Sequence, residues 1–439
     1  MSATELAVVG RWRSGYPPPA PQAEIQLLQL SRIGGERYSR TSSADQANRD
    51  PGMTIRGALV LLCALLALPA SARGADFGKE GDLAYVHIHA FASQGAILTT
   101  GNDYLVQDSK HVSFQMSEVG INVTKNLTDK MRMGLQLFAQ DFGPAGNYTA
   151  KMDWFYLDYR HADWLGFRAG HLKMPFGLFN EINDIDSARV PILLPQSVYP
   201  LQSRQFLFAQ TGAEVYGFAR SREGGALEYR LYGGTLYFDA SSLVPFGSPV
   251  QLQINVPYVF GGRILWETPL EGLRVGGSAM AIHYDAKAFV GTTSGFIHNQ
   301  SLLWIGSADY SRGNVTLTAE YSRWFSRQES TEFPTSALSS LSERVYAMAT
   351  YRAASWLQPG AYYSLLFPDV HNRDGRAQRQ HDLAATVRFD INSNWLVKLE
   401  GHWMAGTAGL TNPLNVDPVS TATADQYWGV FLVKTTAYF

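Results

Sequence analysis

Apolar and polar residues alternate along much of the chain beyond residue 80. Between Trp395 and Trp403, the odd positions carry Trp, Val, Leu, Gly and Trp, and the even positions carry Leu, Lys, Glu and His. Segments 227–232, 315–322 and 382–389 show the same period of two. Because successive side chains of a β-strand point to opposite faces of the sheet, this pattern predicts half-apolar strands. Helical periodicity is scarce, so we predict an all-β fold.

The connectors between these segments are alternately short and long. The predicted short turns are 127–130, 161–163, 221–224, 269–272, 312–313, 354–355 and 392–394, and the predicted long loops are 93–110, 141–147, 175–210, 237–255, 285–301, 327–341, 367–379 and 406–424. Seven turns and eight loops predict about 16 strands. This asymmetry is typical of outer-membrane barrels, whose short turns face the periplasm. Because a sheet spans the bilayer only without free edges, we predict a transmembrane antiparallel β-barrel.

Residues 53–72 have the order of a secretory signal peptide. Arg56 precedes an apolar run at 58–68, and a small-residue motif ends at Ala72. This order predicts cleavage after Ala72 and export of the mature barrel, 73–439, to the outer membrane.

The segment 1–52 stands before this signal and is rich in Arg, Pro and Ser. Since a signal peptide normally begins a protein, we expect Met53 to be the true start and 1–52 to be a disordered, non-native extension. The alternative is a genuine cytoplasmic extension.

Composition excludes several classes of protein. Cys63 is the single cysteine and lies in the predicted signal, so a mature chain would have neither disulfides nor thiolate chemistry. The charged fraction of 17% is well below the roughly 25% of soluble domains. A formal charge of −2 provides no electrostatic basis for nucleic-acid binding.

The longest predicted loop, 175–210, follows the fifth predicted strand and is long enough to fold back into the barrel. Residues 170–177 read GHLKMPFG, and residues 194–197 read LPQS. This stretch resembles the porins related to the phosphate-selective family, which have a G-x-x-K-x-P-F-G strand end and an inward-folding loop with an L-P-Q-S-like element. The resemblance implies a passive, homotrimeric channel narrowed by its third extracellular loop.

Charged residues in and beside this loop are the candidate pore residues. They are Arg168, Lys173, Glu181, Asp184, Asp186, Arg189 and Arg204. Mixed charge across a narrow opening would order polar solutes without strongly selecting one sign. The alternative is that these residues pair with each other and hold the loop. Phosphate selectivity does not carry over securely, because phosphate-concentrating members line the lumen with Arg and Lys, whereas the predicted mature chain is net acidic.

A second set of polar residues occupies predicted inward faces of strands. It comprises Glu228, Arg230, Glu320, Arg388, Lys398, Glu400 and His402. An Arg or Lys facing lipid near the midplane would cost about 2–4 kcal/mol, which favours placement toward the lumen. The last strand ends in Phe439, which we interpret as the signal read by the barrel-assembly machinery.

Catalytic and cofactor motifs are missing from the sequence. It has no HExxH, P-loop, dinucleotide-binding or G-x-S-x-G motif. His87 and His89 share a strand face without a third ligand, so we predict neither metal nor cofactor. The leading hypothesis is a porin for passive diffusion of small hydrophilic solutes or ions, in contact with outer-membrane lipid and lipopolysaccharide. Its alternatives are an anion-selective channel, an outer-membrane enzyme, and a plugged structural or adhesin barrel.

Overall fold

The computed structural model describes residues 75–77, 86–143, 148–201, 204–237, 250–290, 293–330, 338–410, 414 and 424–439. The predicted signal peptide and upstream extension lie outside these residues. The described strands are β1 (Ala75–Phe77), β2 (Val86–Thr99), β3 (Ser117–Thr128), β4 (Met131–Asp141), β5 (Lys151–Ala162), β6 (Leu165–Lys173), β7 (Ala209–Ser221), β8 (Gly225–Leu236), β9 (Val250–Glu267), β10 (Leu273–Val290), β11 (Thr293–Arg312), β12 (Val315–Ser330), β13 (Leu338–Tyr351), β14 (Leu357–Phe367), β15 (Gln380–Asn392), β16 (Trp395–Gly406) and β17 (Tyr427–Tyr438).

Strands β2 to β17 form a closed antiparallel barrel of sixteen strands within the described residues. Each pairs with the next along the chain, and β17 returns to β2 with Tyr438 opposite Phe91 and Val430 opposite Thr99. The short β1 pairs with the start of β2. Closure satisfies the backbone hydrogen bonds that a free edge would leave unpaired. The predicted fold class and strand number are therefore confirmed.

The two faces of the barrel wall have opposite chemistry. In β16, the inward side chains of Lys398, Glu400 and His402 are at most 5% exposed, whereas Leu399 and Trp403 point outward and are 42% and 52% exposed. A water-soluble protein buries its apolar face instead. The alternation predicted for this segment is confirmed, with the polar face inside.

The long-loop end of the barrel differs from the sequence prediction. The predicted loop 285–301 is mostly strand, because β10 continues to Val290 and β11 begins at Thr293. Strand also covers 93–99, 250–255 and 327–330, which the prediction assigned to loops. A strand needs only about 9–11 residues to cross the bilayer, but β10 has 18. Pairing continues into water, where polar pairs such as Asp285 and His298 are tolerated, so the polar composition there did not mark loops.

The connection between β6 and β7 lies inside the barrel. We call residues 174–208 the inward loop; the structure describes all of it except 202 and 203. Met174, Phe176 and Val198 are fully buried. The loop includes a short helix, Arg204–Leu207. Among the described residues no helix is long and apolar enough to span a membrane.

Two apolar clusters fix the inward loop against the wall. In the first, Phe176 and Val198 pack with residues of β8 to β15 such as Met280. In the second, Ile192 and Leu193 pack with residues of the β2–β3 loop and of β16 and β17. Complete burial of one large apolar side chain contributes about 1.5–3 kcal/mol. The apolar side chains of the loop therefore hold it on two sides.

Gly177 allows the sharp turn at which the chain enters the lumen. Its φ is +62°, a left-handed conformation that favours glycine. A Cβ atom there would overlap the Tyr199 hydroxyl and crowd the Glu320 carboxylate. The Gly177 N–H donates to Ser278 Oγ of β10 at 3.0 Å. The glycine of the K-x-P-F-G motif is thus required by this close approach.

Candidate pore constriction

Glu181 ties the first half of the inward loop to β8 and β9. Its carboxylate pairs with Arg230 and lies 2.8 Å from Nη1 of Arg263. Arg230 also pairs with Glu214 of β7 at 2.8 Å. Burial by itself would raise the pKa of Glu181, but the two guanidinium groups hold it below its usual value. The carboxylate therefore stays ionised.

Lys173, at the end of β6, binds the first half of the inward loop. Its Nζ donates to Asp184 Oδ1 at 2.7 Å and to the Glu181 carbonyl oxygen at 2.9 Å. Gln136 of β4 donates to the second oxygen of Asp184 at 2.7 Å. Asp184 is thus held by the wall and by the strand that leads into the loop.

Arg204 and Arg168 are both paired with carboxylates of β5. Arg204, at the end of the loop, donates to Asp153 at 3.2 Å and lies over the Phe208 ring at 3.8 Å. Arg168 pairs with Asp158 at 3.0 Å. Its other carboxylate partner, on β7, also belongs to the wall, so Arg168 braces the barrel rather than the loop.

Asp186 is the centre of a buried ionic cluster. Lys398 Nζ donates to its Oδ1 at 2.9 Å, and Thr436 Oγ1 donates to its Oδ2 at 2.7 Å. Lys434 and Arg189 approach Oδ1 at 3.5 and 3.6 Å. Burial alone would raise the pKa of Asp186, but the surrounding cations hold it far below its usual value. The cluster fastens the loop to β16 and β17.

Glu400 anchors the middle of the loop through the backbone. Its two oxygens accept hydrogen bonds from the N–H groups of Ile192 at 2.6 Å and Leu193 at 2.9 Å. His402 lies between Glu400, at 3.0 Å, and Asp382, at 2.8 Å. A charge-assisted contact therefore satisfies two buried amides that would otherwise be costly.

Glu320 anchors the opposite side of the loop. It accepts hydrogen bonds from the Tyr199 hydroxyl, from Ser307 Oγ at 2.5 Å, from Tyr346 at 2.7 Å and from the Leu178 N–H at 3.0 Å. No Lys, Arg or His lies within ion-pair distance of Glu320 among the described residues. Hydroxyl and amide donors alone satisfy it.

The predicted site residues are all found in the described structure. Each of the seven candidate pore residues has an ion-pair partner there, and most partners belong to the barrel wall. The seven lumen candidates all face inward. Glu228 is the most exposed, with 39% of its side chain accessible, and it pairs with Arg263. Arg388 donates to the Ser187 carbonyl oxygen at 2.6 Å and so also holds the loop.

Sequence analysis missed several residues that hold the loop. Arg263 and Lys434 lie at inward positions of β9 and β17, and alternation applied to those strands would have identified them. Tyr199 carried no such signal, because its role depends on the path of the loop.

Phe439, at the end of the last strand, exchanges backbone hydrogen bonds with Ala90, at 2.9 and 3.1 Å.

Potential metal ligands do not converge in the described part of the chain. No group of three or more His, Cys, Asp or Glu side chains there could hold a metal ion. The rings of His87 and His89 are stacked with centroids 6.4 Å apart.

The barrel is similar to solved outer-membrane protein structures. Salmonella typhi OmpF in complex with daunomycin aligns with a TM-score of 0.51 at 13% identity, over 83% of this chain and 100% of OmpF. An anion-selective porin from Comamonas acidovorans aligns at 0.49 and 11% identity, over 81% of this chain and 99% of the porin. OmpT of Vibrio cholerae aligns at 0.48 and 12% identity, over 82% and 99%. No protein-family profile and no curated protein sequence matches the chain. At these identities the OmpF likeness shows the fold alone, a transmembrane β-barrel.

Proposed function

We propose that the protein is an outer-membrane channel for passive diffusion of small hydrophilic solutes or ions. The observation that carries this proposal is the closed barrel with a polar inner face, crossed by a loop held through charged side chains. Sixteen strands enclose a lumen wide enough for water. Solutes would move down their own gradients.

The inward loop is proposed to set size exclusion. Acidic groups of the loop pair with basic groups of the wall, as in Glu181 with Arg230 and Asp186 with Lys398. Paired charges of both signs produce a local field with little net sign, so we propose weak ion selectivity. An anion-selective channel for phosphate or carboxylates is the alternative within this class.

A barrel closed by its own loop is a second candidate. Its support is the apolar packing of Phe176 and Val198 on one side and of Ile192 on the other, since an open aqueous pore would favour polar contacts there. In this case the loop would act as a plug, and the barrel would be a structural or adhesin-like protein. An outer-membrane barrel enzyme is a separate alternative.

Export and assembly follow from the same proposal. We propose that synthesis starts at Met53 and that residues 53–72 direct export. Residues 73–439 would then form the barrel in the outer membrane. Contact with lipopolysaccharide, recognition of Phe439 by the assembly machinery and a homotrimeric state belong to this proposal. Intact mass of the purified protein tests the cleavage site, and mutation of Met53 tests the start.

Single-channel recording tests the channel directly. Protein purified from outer membranes would be added to a planar bilayer under a KCl gradient. Discrete conductance steps are expected, with a reversal potential near zero if selectivity is weak. Silence from a barrel that migrates as folded on unheated gels would refute the channel and favour the plugged barrel. A strongly shifted reversal potential would favour a selective pore.

A further inference from the structure

Arg344 differs from the other inward arginines around the loop. Each of those arginines has a carboxylate within 4 Å: Arg168, Arg189, Arg204, Arg230, Arg263 and Arg388. Among the described residues Arg344 has no such partner; its polar contacts are with Ser342 and with a loop carbonyl. Within the described part of the chain, its positive charge is therefore not matched by an ion pair.

The guanidinium of Arg344 is nonetheless held rigidly. Nε donates to Ser342 Oγ at 3.1 Å, and Nη1 donates to the Ser197 carbonyl oxygen of the inward loop at 2.7 Å. The Trp324 ring lies under the guanidinium carbon at 3.4 Å. Nη2 donates to no residue that the structure describes. One edge of a fixed guanidinium is thus available, which is the geometry that recognises carboxylate and phosphate oxygens.

This arginine lines a cavity of about 150 Å³. The cavity lies on the long-loop side of the inward loop, because Leu105 and Leu410 of two other long loops also line it. Ser364 and Gln380 also line it, but the Ser364 hydroxyl donates to Ser197 Oγ at 2.7 Å and Gln380 Nε2 donates to the His381 carbonyl oxygen at 3.2 Å, so Arg344 supplies the free donor. A single water needs only about 10–15 Å³ of such space, so the cavity has room for a small oxyanion with part of its hydration.

Asp382 is the one carboxylate among the described residues that line the cavity, and both of its oxygens are engaged by other side chains. Its Oδ1 lies 2.8 Å from His402 Nδ1, and its Oδ2 accepts a hydrogen bond from Tyr362 at 3.2 Å. Both oxygens have partners, whereas Nη2 of Arg344 retains free donors. The unused hydrogen-bonding capacity of the cavity is therefore that of a donor, which an oxyanion would accept.

We propose that Arg344, through the donors of Nη2, binds a small oxyanion, either a carboxylate or a phosphate, on the long-loop side of the constriction. The consequence for transport rests on the proposed channel function, since anions would be captured before they reach the inward loop. Binding itself does not require conduction.

Calorimetry on the full-length protein in detergent tests the binding. Sodium phosphate and sodium acetate would be titrated separately, in a chloride buffer that controls for nonspecific charge. We expect saturable binding of one equivalent by the wild type. R344Q should weaken it at least about tenfold, because the ligand loses charged hydrogen bonds. R274Q is the matched control, since Arg274 is a wall arginine paired with Asp309 away from this cavity, and it should bind like the wild type.

The outcomes separate this proposal from the channel hypothesis. Saturation by acetate alone, or by phosphate alone, identifies the oxyanion. Failure of the wild type to bind either, or equal binding by R344Q, overturns the site even if the protein conducts. If R344Q does not fold, R344K replaces it, and wild-type affinity in that variant overturns the proposed role of the guanidinium edge. Binding by a silent barrel would retain the site and refute only the channel.

Discussion

Asp186→Asn should release the part of the inward loop that is fixed to β16 and β17. The substitution keeps the side-chain shape but removes the charge that faces Lys398, whose side chain is fully buried. Breaking a buried ion pair by removing one partner costs about 3–5 kcal/mol. Lys398 also donates to the carbonyl oxygens of Asp186 and Pro191, so we expect the lower part of that range.

A loss of about 3 kcal/mol corresponds to a more than hundredfold shift in the anchoring equilibrium. The barrel should still close, because its strand ladder does not involve Asp186. In planar bilayers, D186N should therefore show larger or noisier conductance steps than the wild type. Limited proteolysis should cut within the inward loop.

Glu329→Gln is the matched control for this experiment. Glu329 pairs with Arg327 at 2.8 Å, but both side chains are roughly half exposed, so the pair contributes little. E329Q should behave like the wild type. Unchanged conductance and unchanged protease resistance in D186N would refute the view that the ionic cluster holds the loop.

Three further predictions concern the turn at Gly177, the outer face of the barrel and the effect of pH. Gly177→Ala should lower the free energy of unfolding by about 1–2 kcal/mol or more, because alanine is strained at φ +62° and its Cβ would meet Tyr199. Unchanged heat modifiability on gels would contradict this. Leu399→Arg, on the outer face near the middle of β16, should reduce the free energy of folding into vesicles by up to about 4 kcal/mol. L231R on β8 is a parallel case. Wild-type folding yields of these variants would argue against a lipid-facing surface. Because the pKa of Asp186 is lowered in the folded chain, its contribution to anchoring is complete above the usual Asp pKa of about 3.9 and is lost only as the pH falls further. Conductance of the wild type should then not change through this group between pH 5 and 8, and a D186N-like conductance appearing within that range would contradict the assignment.

Sequence alone determined the fold class, because the alternation of apolar and polar residues within each strand shows which side chains face lipid and which face the lumen. The alternation at 395–403 separates Lys398 and Glu400 from Leu399 without any information about neighbours, and this separation is the wall seen in the structure. The short turns could also be predicted from the sequence. The strand ends that extend beyond the bilayer could not, since polar residues such as Asp285 occur both in water-exposed strands and in loops.

Only the tertiary structure decided which charges meet. Asp186 and Lys398 are 212 residues apart in sequence, and Tyr199 and Glu320 are 121 apart. Their pairing depends on the inward path of one loop and on the strand order that surrounds it. The same holds for Arg344, because its lack of an ion-pair partner among the described residues becomes evident only in the folded barrel. Local periodicity reports which face a side chain occupies, whereas an ion pair across a lumen depends on the closure of the whole barrel.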